Sequence, residues 1–303
     1  MPRPTTPTYG DHHPRLLGPE TPLAQVLAAC ESAGHADPAG AWQALTRTWN
    51  WAAPLPAAGC DTDFPGATAR PTPGGFTLSG LWSLPAPEEI GPWLTLPLPV
   101  TGTGEPDLFV VAAKALPRGS GPGRVVRLDN LYVPAGFVTH AAGAPLRVGD
   151  AAFLWTAVTA LALGMARRIT DVLAAPYAGG VASTPHAVAM AAELAAVLHD
   201  ERLSLAAALH EAPSARQGLP AATEERLAAH VPRAGRAVQH VVAAAYEQAL
   251  TTDWSGARHP LVSLIEDGSP ILQQARCTRE LLLPRDRTSP RKAEHGDDRR
   301  ISG

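Results

Sequence analysis

The sequence predicts an α+β protein built from a short N-terminal helical segment, a small antiparallel β-barrel or sandwich domain, and a C-terminal four-helix bundle. Three observations predict this order. Residues 151–166 are apolar almost all round, which is typical of a buried helix. Short runs of β-forming residues, punctuated by Pro and Gly, occupy residues 53–140. Helical patterns with short connections then fill residues 148–283.

The composition excludes several classes of protein. A hydrophobic share of 45% is ordinary for a globular chain. The net charge of −3 argues against nucleic acid as a partner. Cys30, Cys60 and Cys277 are odd in number and far apart, which argues against a disulfide framework. Together with an N-terminus that lacks an apolar signal core, this usage predicts a cytoplasmic location. No Walker loop, nucleophile elbow or metal-binding motif occurs.

The N-terminal part begins with an arm. Residues 1–20 are rich in Pro and Thr and lack periodicity, so we expect them to be disordered. Thr21 followed by Pro22, and Asp37 followed by Pro38, are each typical of a helix start. Apolar residues at helical spacing follow both signals, so residues 21–52 are predicted to form two short helices.

The β domain is predicted from four segments. PGG at residues 73–75 is a turn, and runs rich in Val, Leu, Phe and Trp follow it. The predicted strands are residues 76–84, 93–100, 107–113 and 124–134. Segments of this length, separated by turns, indicate a small antiparallel unit that closes partly into a barrel or forms a sandwich.

The organising element is the helix predicted at residues 150–173. Asp150 is a candidate N-cap, and Arg167 begins the more polar C-terminal end. The uncharged run between these two residues is shorter than the roughly 20 residues that span a bilayer. We therefore predict the central helix of a soluble bundle and no membrane association.

Three more helices complete the predicted bundle. Thr184 with Pro185 caps the second, Thr223 and two glutamates open the third, and Ser269 with Pro270 opens the fourth. Pro232 lies inside the third helix and is expected to kink or divide it. Residues 284–303 are charged and are predicted to form a disordered tail.

Several strings, in this order, resemble the acyl-CoA dehydrogenase-like flavoproteins and the related two-component flavin monooxygenases. HADPAGAW resembles the segment before the β domain of that family, GGFTLSGLWSL its flavin-contacting hairpin, and LDNLYVP the exit strand. ALGMARRITDVL resembles the first bundle helix, and DGSPILQQARCTRELL resembles the Glu-Gly-Thr segment with the helix that follows. The resemblance covers about residues 21–283, and it implies that the helical segment at residues 21–52 is a truncated form of the family's N-terminal domain.

The resemblance implies a set of site residues. Asp267 falls at the catalytic glutamate of the dehydrogenases, one methylene shorter, and the reading from the residues alone is a polar turn before an N-capping Ser269. Ala86 stands where the family offers a hydroxyl to the flavin ring, and Arg279 falls on an arginine of the last helix. The cofactor-binding residues implied are Trp82, Leu84, Ala86, Gly268, Ser269 and Gln273.

The function implied by the resemblance is that of an FAD-dependent oxidoreductase acting on the CH–CH group of an acyl thioester. Asp267 would remove a proton next to the thioester carbonyl while the flavin accepts a hydride. Two alternatives stay within the family: a flavin-dependent hydroxylase, and a catalytically degenerate subunit that partners an active homologue. A further alternative is an unrelated helical binding module. The resemblance also implies a homo- or hetero-oligomer that assembles through the C-terminal bundle.

Overall fold

The computed structural model describes residues 17–55, 57–60, 66–84, 92–101, 106–116, 125–175, 184–210, 212–251 and 259–282. Seven α-helices and two main β-sheets lie in these ranges. The arm predicted to be disordered comprises residues 1–20, of which 1–16 fall outside the described residues and 17–20 are described; the predicted tail at 284–303 also falls outside them. The helices are α1 Leu23–Ala36, α2 Pro38–Thr48, α3 Ala151–Ala174, α4 Pro185–Leu209, α5 Ala221–Thr251, α6 Pro260–Asp267 and α7 Ser269–Leu282.

Helix α3 is the centre of the helical layer, as its composition predicts. It packs against α1, α4, α5 and α7, so almost every residue from Ala152 to Ala166 is buried. In the part of the chain that is described, one helical segment, Val148–Ala174, is apolar and long enough to cross a membrane by length and composition. Within the protein, 83% of its apolar window is buried. The other helices therefore cover the apolar surface that would otherwise face lipid.

The C-terminal region departs from a simple four-helix plan. The sequence analysis missed α6, which ends at Asp267, so five helices occupy the region where four were expected. The N-terminal helix α1 also packs closely along α3, and its apolar residues belong to the same core as those of the bundle. Pro232 was expected to kink or divide the third bundle helix; a division is wrong, because α5 runs from Ala221 to Thr251 across it, and a kink stays a prediction. The helical layer is thus organised around α3 with α1 as a full member.

The predicted helix caps have mixed outcomes. Asp37 accepts a hydrogen bond from the N–H of Gly40 at 3.0 Å, and Thr184 accepts one from Ala187 at 3.1 Å, which confirms both starts. The cap predicted at Thr21 is wrong, since Pro22 precedes α1 and makes no side-chain cap. Asp150 precedes α3 without capping it. Its carboxylate instead accepts from the backbone N–H of Arg147 at 2.9 Å, within a turn of 3₁₀ helix.

The sequence analysis predicted only four of the nine short strands that the described residues contain. They are β1 Trp49–Asn50, β2 Ala57–Gly59, β3 Thr68–Thr72, β4 Gly75–Ser83, β5 Trp93–Pro99, β6 Pro106–Ala112, β7 Val125–Pro134, β8 Val138–His140 and β9 Ala144–Pro145. A three-stranded antiparallel sheet has the order β3-β4-β7, and a four-stranded sheet has the order β2-β5-β6-β8. Strands β1 and β9 pair separately, in parallel.

Both sheets contribute to one apolar core. Leu78 and Trp82 of β4 belong to the same buried cluster as Leu96 of β5 and Phe109 of β6. Among the described residues the strands form separate sheets and no closed barrel, so of the two predicted forms the closed barrel is wrong and the sandwich is not contradicted. The pairing is also not purely antiparallel, because β2 runs parallel to β5. The β unit is therefore two small sheets that share a core.

A hydrogen bond at the start of α6 should make the folding stability of the protein depend on pH. Nδ1 of His259 accepts the N–H of Leu261 at 3.2 Å, which requires an unprotonated Nδ1, and burial lowers the pKa of His259 from its ordinary 6.5. As pH falls through 6.5 the unfolded chain gains a proton that the folded protein excludes, so folding stability is lost below that pH. We expect the urea concentration at the unfolding midpoint to decrease as the pH is lowered from about 7 to about 5. His259→Asn keeps a capping acceptor and should flatten this slope; an unchanged slope would contradict the assignment.

Candidate functional site

A cleft of about 670 Å³ lies where helix α2, the β unit and the start of α7 meet. A volume of this size is typical of small-molecule sites. Apolar and aromatic side chains form part of its wall, and several polar groups converge on it. The residues that line it are Trp42, Gln43, Thr46, Arg47, Phe76, Asp107, Ala135, Val138, Thr139, His140 and Pro270.

Helix α2 forms one wall of the cleft. The Asp37 cap determines where this helix begins. Trp42 and Thr46 lie one turn apart and are buried, while Arg47 is exposed at the rim. Thr139 of β8 is buried and donates to the carbonyl of Trp49 at 3.0 Å and to that of Thr46 at 3.3 Å. This hydroxyl ties the β unit to the end of α2. The helical wall of the cleft is therefore fixed relative to the sheet.

Asp107 and His140 form a polar pair in the cleft. The antiparallel register of β6 and β8 places them directly opposite each other. His140 Nδ1 lies 3.2 Å from Asp107 Oδ1, and the two side chains are 19% and 29% exposed. A carboxylate in this position orients an imidazole, an arrangement suited to proton transfer. The sequence analysis missed the pair because 33 residues separate its members and only strand register joins them.

Gln273 holds α7 against the β unit. Its Oε1 accepts the N–H of Gly136 at 2.8 Å, and its Nε2 donates to the carbonyl of Gly74 at 3.0 Å. At Gly136 a Cβ would lie 2.8 Å from Cβ of Gln273 and 2.9 Å from the backbone N of Gln274, so only glycine allows this approach. Both ends of the Gln273 amide bind backbone, and Pro270 of the same helix reaches the cleft.

The other predicted site residues are spread over two places. Asp267 is the last residue of α6; it is exposed and does not line the cleft. Gly268 is buried, with Met165 of α3 so close that a Cβ would collide with its sulfur, and Ser269 is half-buried. Asp267, Gly268, Ser269 and Gln273 thus follow one another through the α6–α7 junction.

Trp82 and Leu84 lie in the apolar core of the β unit, 1% and 5% exposed. Neither residue lines the cleft. Ala86 lies outside the described residues. The structure therefore brings the predicted residues of the α6–α7 junction together and places the predicted strand residues in a separate core.

Comparisons with known proteins give structural similarities only. No family model matches the chain, and no curated protein gives a significant match. XiaF from Streptomyces sp., solved in complex with FADH2 and glycerol, is 19% identical over 87% of this chain and 81% of its own, with a TM-score of 0.41.

The 3-HSA hydroxylase from Rhodococcus sp. RHA1 is 16% identical, with a TM-score of 0.38 over 89% of this chain and 87% of its own. An acyl-CoA dehydrogenase from Slackia heliotrinireducens is 15% identical, with a TM-score of 0.40 over 86% of this chain and 78% of its own. At these identities and TM-scores the similarity identifies neither the family nor the substrate of this chain.

Proposed function

We propose that this protein is a flavin-dependent oxidoreductase that binds its ligands in the cleft between α2, the β unit and α7. The observation that carries the proposal is the cleft itself, in which aromatic side chains and a few convergent polar groups meet between the two layers. The order of the sequence strings that resemble flavoproteins adds support. A flavin, when bound, would supply hydride transfer to or from a small organic substrate.

The residues of the cleft suit an aromatic, anionic ligand. Trp42 and Phe76 offer faces against which a planar ring can stack. Arg47 at the rim offers a guanidinium fork that suits a phosphate or carboxylate group. We assign proton transfer to His140, with Asp107 as the group that orients its imidazole.

The acyl thioester reaction remains a narrower form of this proposal, with Asp267 as the candidate base. Its exposed position outside the cleft lining weighs against that role and in favour of His140. Two variants separate these assignments. If Asp267 is the base, Asp267→Asn abolishes turnover of an acyl thioester and His140→Gln leaves it intact; if His140 is the base, the outcomes are exchanged.

Flavin binding is the first test. We expect added FAD or FMN to show a perturbed visible band and quenched fluorescence on mixing with the protein, with saturation at one flavin per chain. Arg47→Ala should weaken binding about tenfold, because a charge-assisted contact to a phosphate is lost. Arg127→Ala is the matched control, since Arg127 is an exposed arginine of β7 that does not line the cleft.

Absence of saturable binding to either flavin would overturn the proposal. Equal weakening by Arg47→Ala and Arg127→Ala would place the flavin outside this cleft.

A second candidate function is a non-catalytic subunit that partners an active homologue. The observations that favour it are the exposed position of Asp267 and the commitment of the Gln273 amide to backbone groups. Apolar side chains on α4 and α5 that are exposed and available for contact with such a partner are Val188, Val197, Leu203, Tyr246 and Leu250. Colourless protein that forms a stable complex with a flavin-containing homologue would support this function over the first.

A further inference from the structure

A second polar centre joins α1, α3 and α4, away from the cleft described above. Glu31 of α1 is only 3% exposed, and both of its carboxylate oxygens accept from arginines. Oε1 lies 2.7 Å from Nη1 of Arg167 on α3, and Oε2 lies 2.7 Å from Nε of Arg202 on α4. One buried carboxylate therefore holds two guanidinium groups next to each other.

The two guanidinium groups line a separate cleft of about 440 Å³. Arg167 is 50% exposed and Arg202 is 35% exposed, so both side chains reach solvent although each contacts the buried carboxylate. The residues that line this cleft are Arg167, Thr170, Asp171, Ala195, His199 and Arg202. The space beside the two arginines is sufficient for a small ligand.

The two lining arginines have two carboxylates near them, Glu31 and Asp171. Arg168 does not line this cleft and donates instead to the carbonyls of His35 and Ala36 at the end of α1. Asp171 is engaged with His35, whose Nε2 is 2.7 Å away. Arg167 and Arg202 thus accompany two carboxylates, and of these Glu31 is buried behind the arginines while Asp171 alone lines the cleft.

We propose that this cleft binds a small oxyanion, the phosphate or carboxylate group of a ligand, between Arg167 and Arg202. Each guanidinium carries five N–H donors, and the contact with Glu31 uses one donor of each. Arginine forks match the two oxygens of a carboxylate or phosphate, and a buried partner that fixes the fork reduces the entropy lost on binding. His199 lines the same cleft and adds a further N–H donor.

An anion-binding site explains this geometry better than an ion-pair network that only joins the helices. A network that only joins the helices is complete once Glu31 is paired, and the arginines could then pack together without leaving a cleft. Here they border open space, and the one carboxylate that lines this space is engaged with histidine. The site is independent of flavin binding, since none of its residues lines the first cleft.

Isothermal titration calorimetry tests the site with two probes, inorganic phosphate and acetate, in chloride buffer at constant ionic strength. We expect saturable one-to-one binding of at least one probe, and the stronger probe identifies whether the ligand group is a phosphate or a carboxylate. Arg202→Gln should lower the affinity at least tenfold. Arg233→Gln is the matched control, because Arg233 is an exposed arginine whose described ion pair, with Glu201, lies outside the cleft.

Absence of saturable binding of both probes to the unaltered protein overturns the proposal, as does equal affinity in Arg202→Gln and Arg233→Gln. If Arg202→Gln does not fold, Arg202→Lys decides instead. Lysine keeps the charge beside Glu31 and loses the fork, so a loss of affinity in that folded variant supports the site and an unchanged affinity overturns it.

Discussion

Replacing Gly164 by alanine is expected to destabilise the protein by about 3 kcal/mol, although alanine is the better helix former. Gly164 lies on α3 where α1 crosses it. A Cβ at this position would collide with the carbonyl oxygen of Glu31 and lie 2.7 Å from the backbone N of His35. Backbone cannot move aside as a flexible side chain can, so the two helices must separate, and the contacts along their interface weaken.

Gly235→Ala is the control, with the opposite expected sign. Gly235 lies in the middle of α5, and a Cβ there would meet no atom within 4 Å. Its replacement should stabilise the protein by about 0.5–1 kcal/mol, because glycine loses more backbone entropy on folding than alanine does. Urea unfolding followed by far-UV circular dichroism measures both variants, and a Gly164→Ala protein as stable as the unaltered one would refute the close crossing.

Gly34 on α1 provides an independent check on the same crossing. A Cβ at this position would collide with the backbone carbonyl of Leu161 and lie 2.9 Å from its Cα. The two glycines, one on each helix, thus allow the same close approach of α1 and α3. Because a single separation of the helices relieves both clashes, the Gly34→Ala, Gly164→Ala double variant should lose less stability than the sum of the two single variants.

The sequence predicted α3 well and its surroundings poorly, for a physical reason. A helix with apolar residues on every side must be buried, whatever covers it, so its composition alone predicted its bounds to within a residue or so. The close approach at Gly34 and Gly164 joins positions 130 residues apart, and nothing local distinguishes these glycines from others. Helix α6 has only eight residues, too few for a periodic pattern to register.

The same contrast applies to the sheets and the cleft. The runs of Val, Leu, Phe and Trp predicted β4, β5, β6 and β7 to within one or two residues at each end. The short strands β1, β2, β8 and β9 have two or three residues each and form by pairing with distant partners. His140 lies on one of these short strands, so the local sequence pattern could not predict that it would lie opposite Asp107.

Glu31→Ala is expected to be the other strongly destabilising change, and no local pattern around Glu31 indicated it. The substitution leaves Arg167 and Arg202 next to each other without the buried carboxylate that now joins them. Breaking a buried ion pair from one side typically costs about 3–5 kcal/mol. Because the two arginines remain one-third to one-half exposed, water solvates them in the variant, and we expect a loss of about 2–3 kcal/mol.

The matched control is Glu20→Ala. Glu20 is 62% exposed, and its carboxylate lies 3.8 Å from Arg216, so its removal should change stability by less than about 0.5 kcal/mol. Glu31→Gln keeps the shape of the side chain and one acceptor oxygen, so it should lie between the two. Equal urea midpoints for Glu31→Ala and Glu20→Ala would show that burial of the Glu31 carboxylate adds nothing to the stability of the protein. The ordering of the three variants therefore separates the effect of charge from that of burial at the junction of α1, α3 and α4.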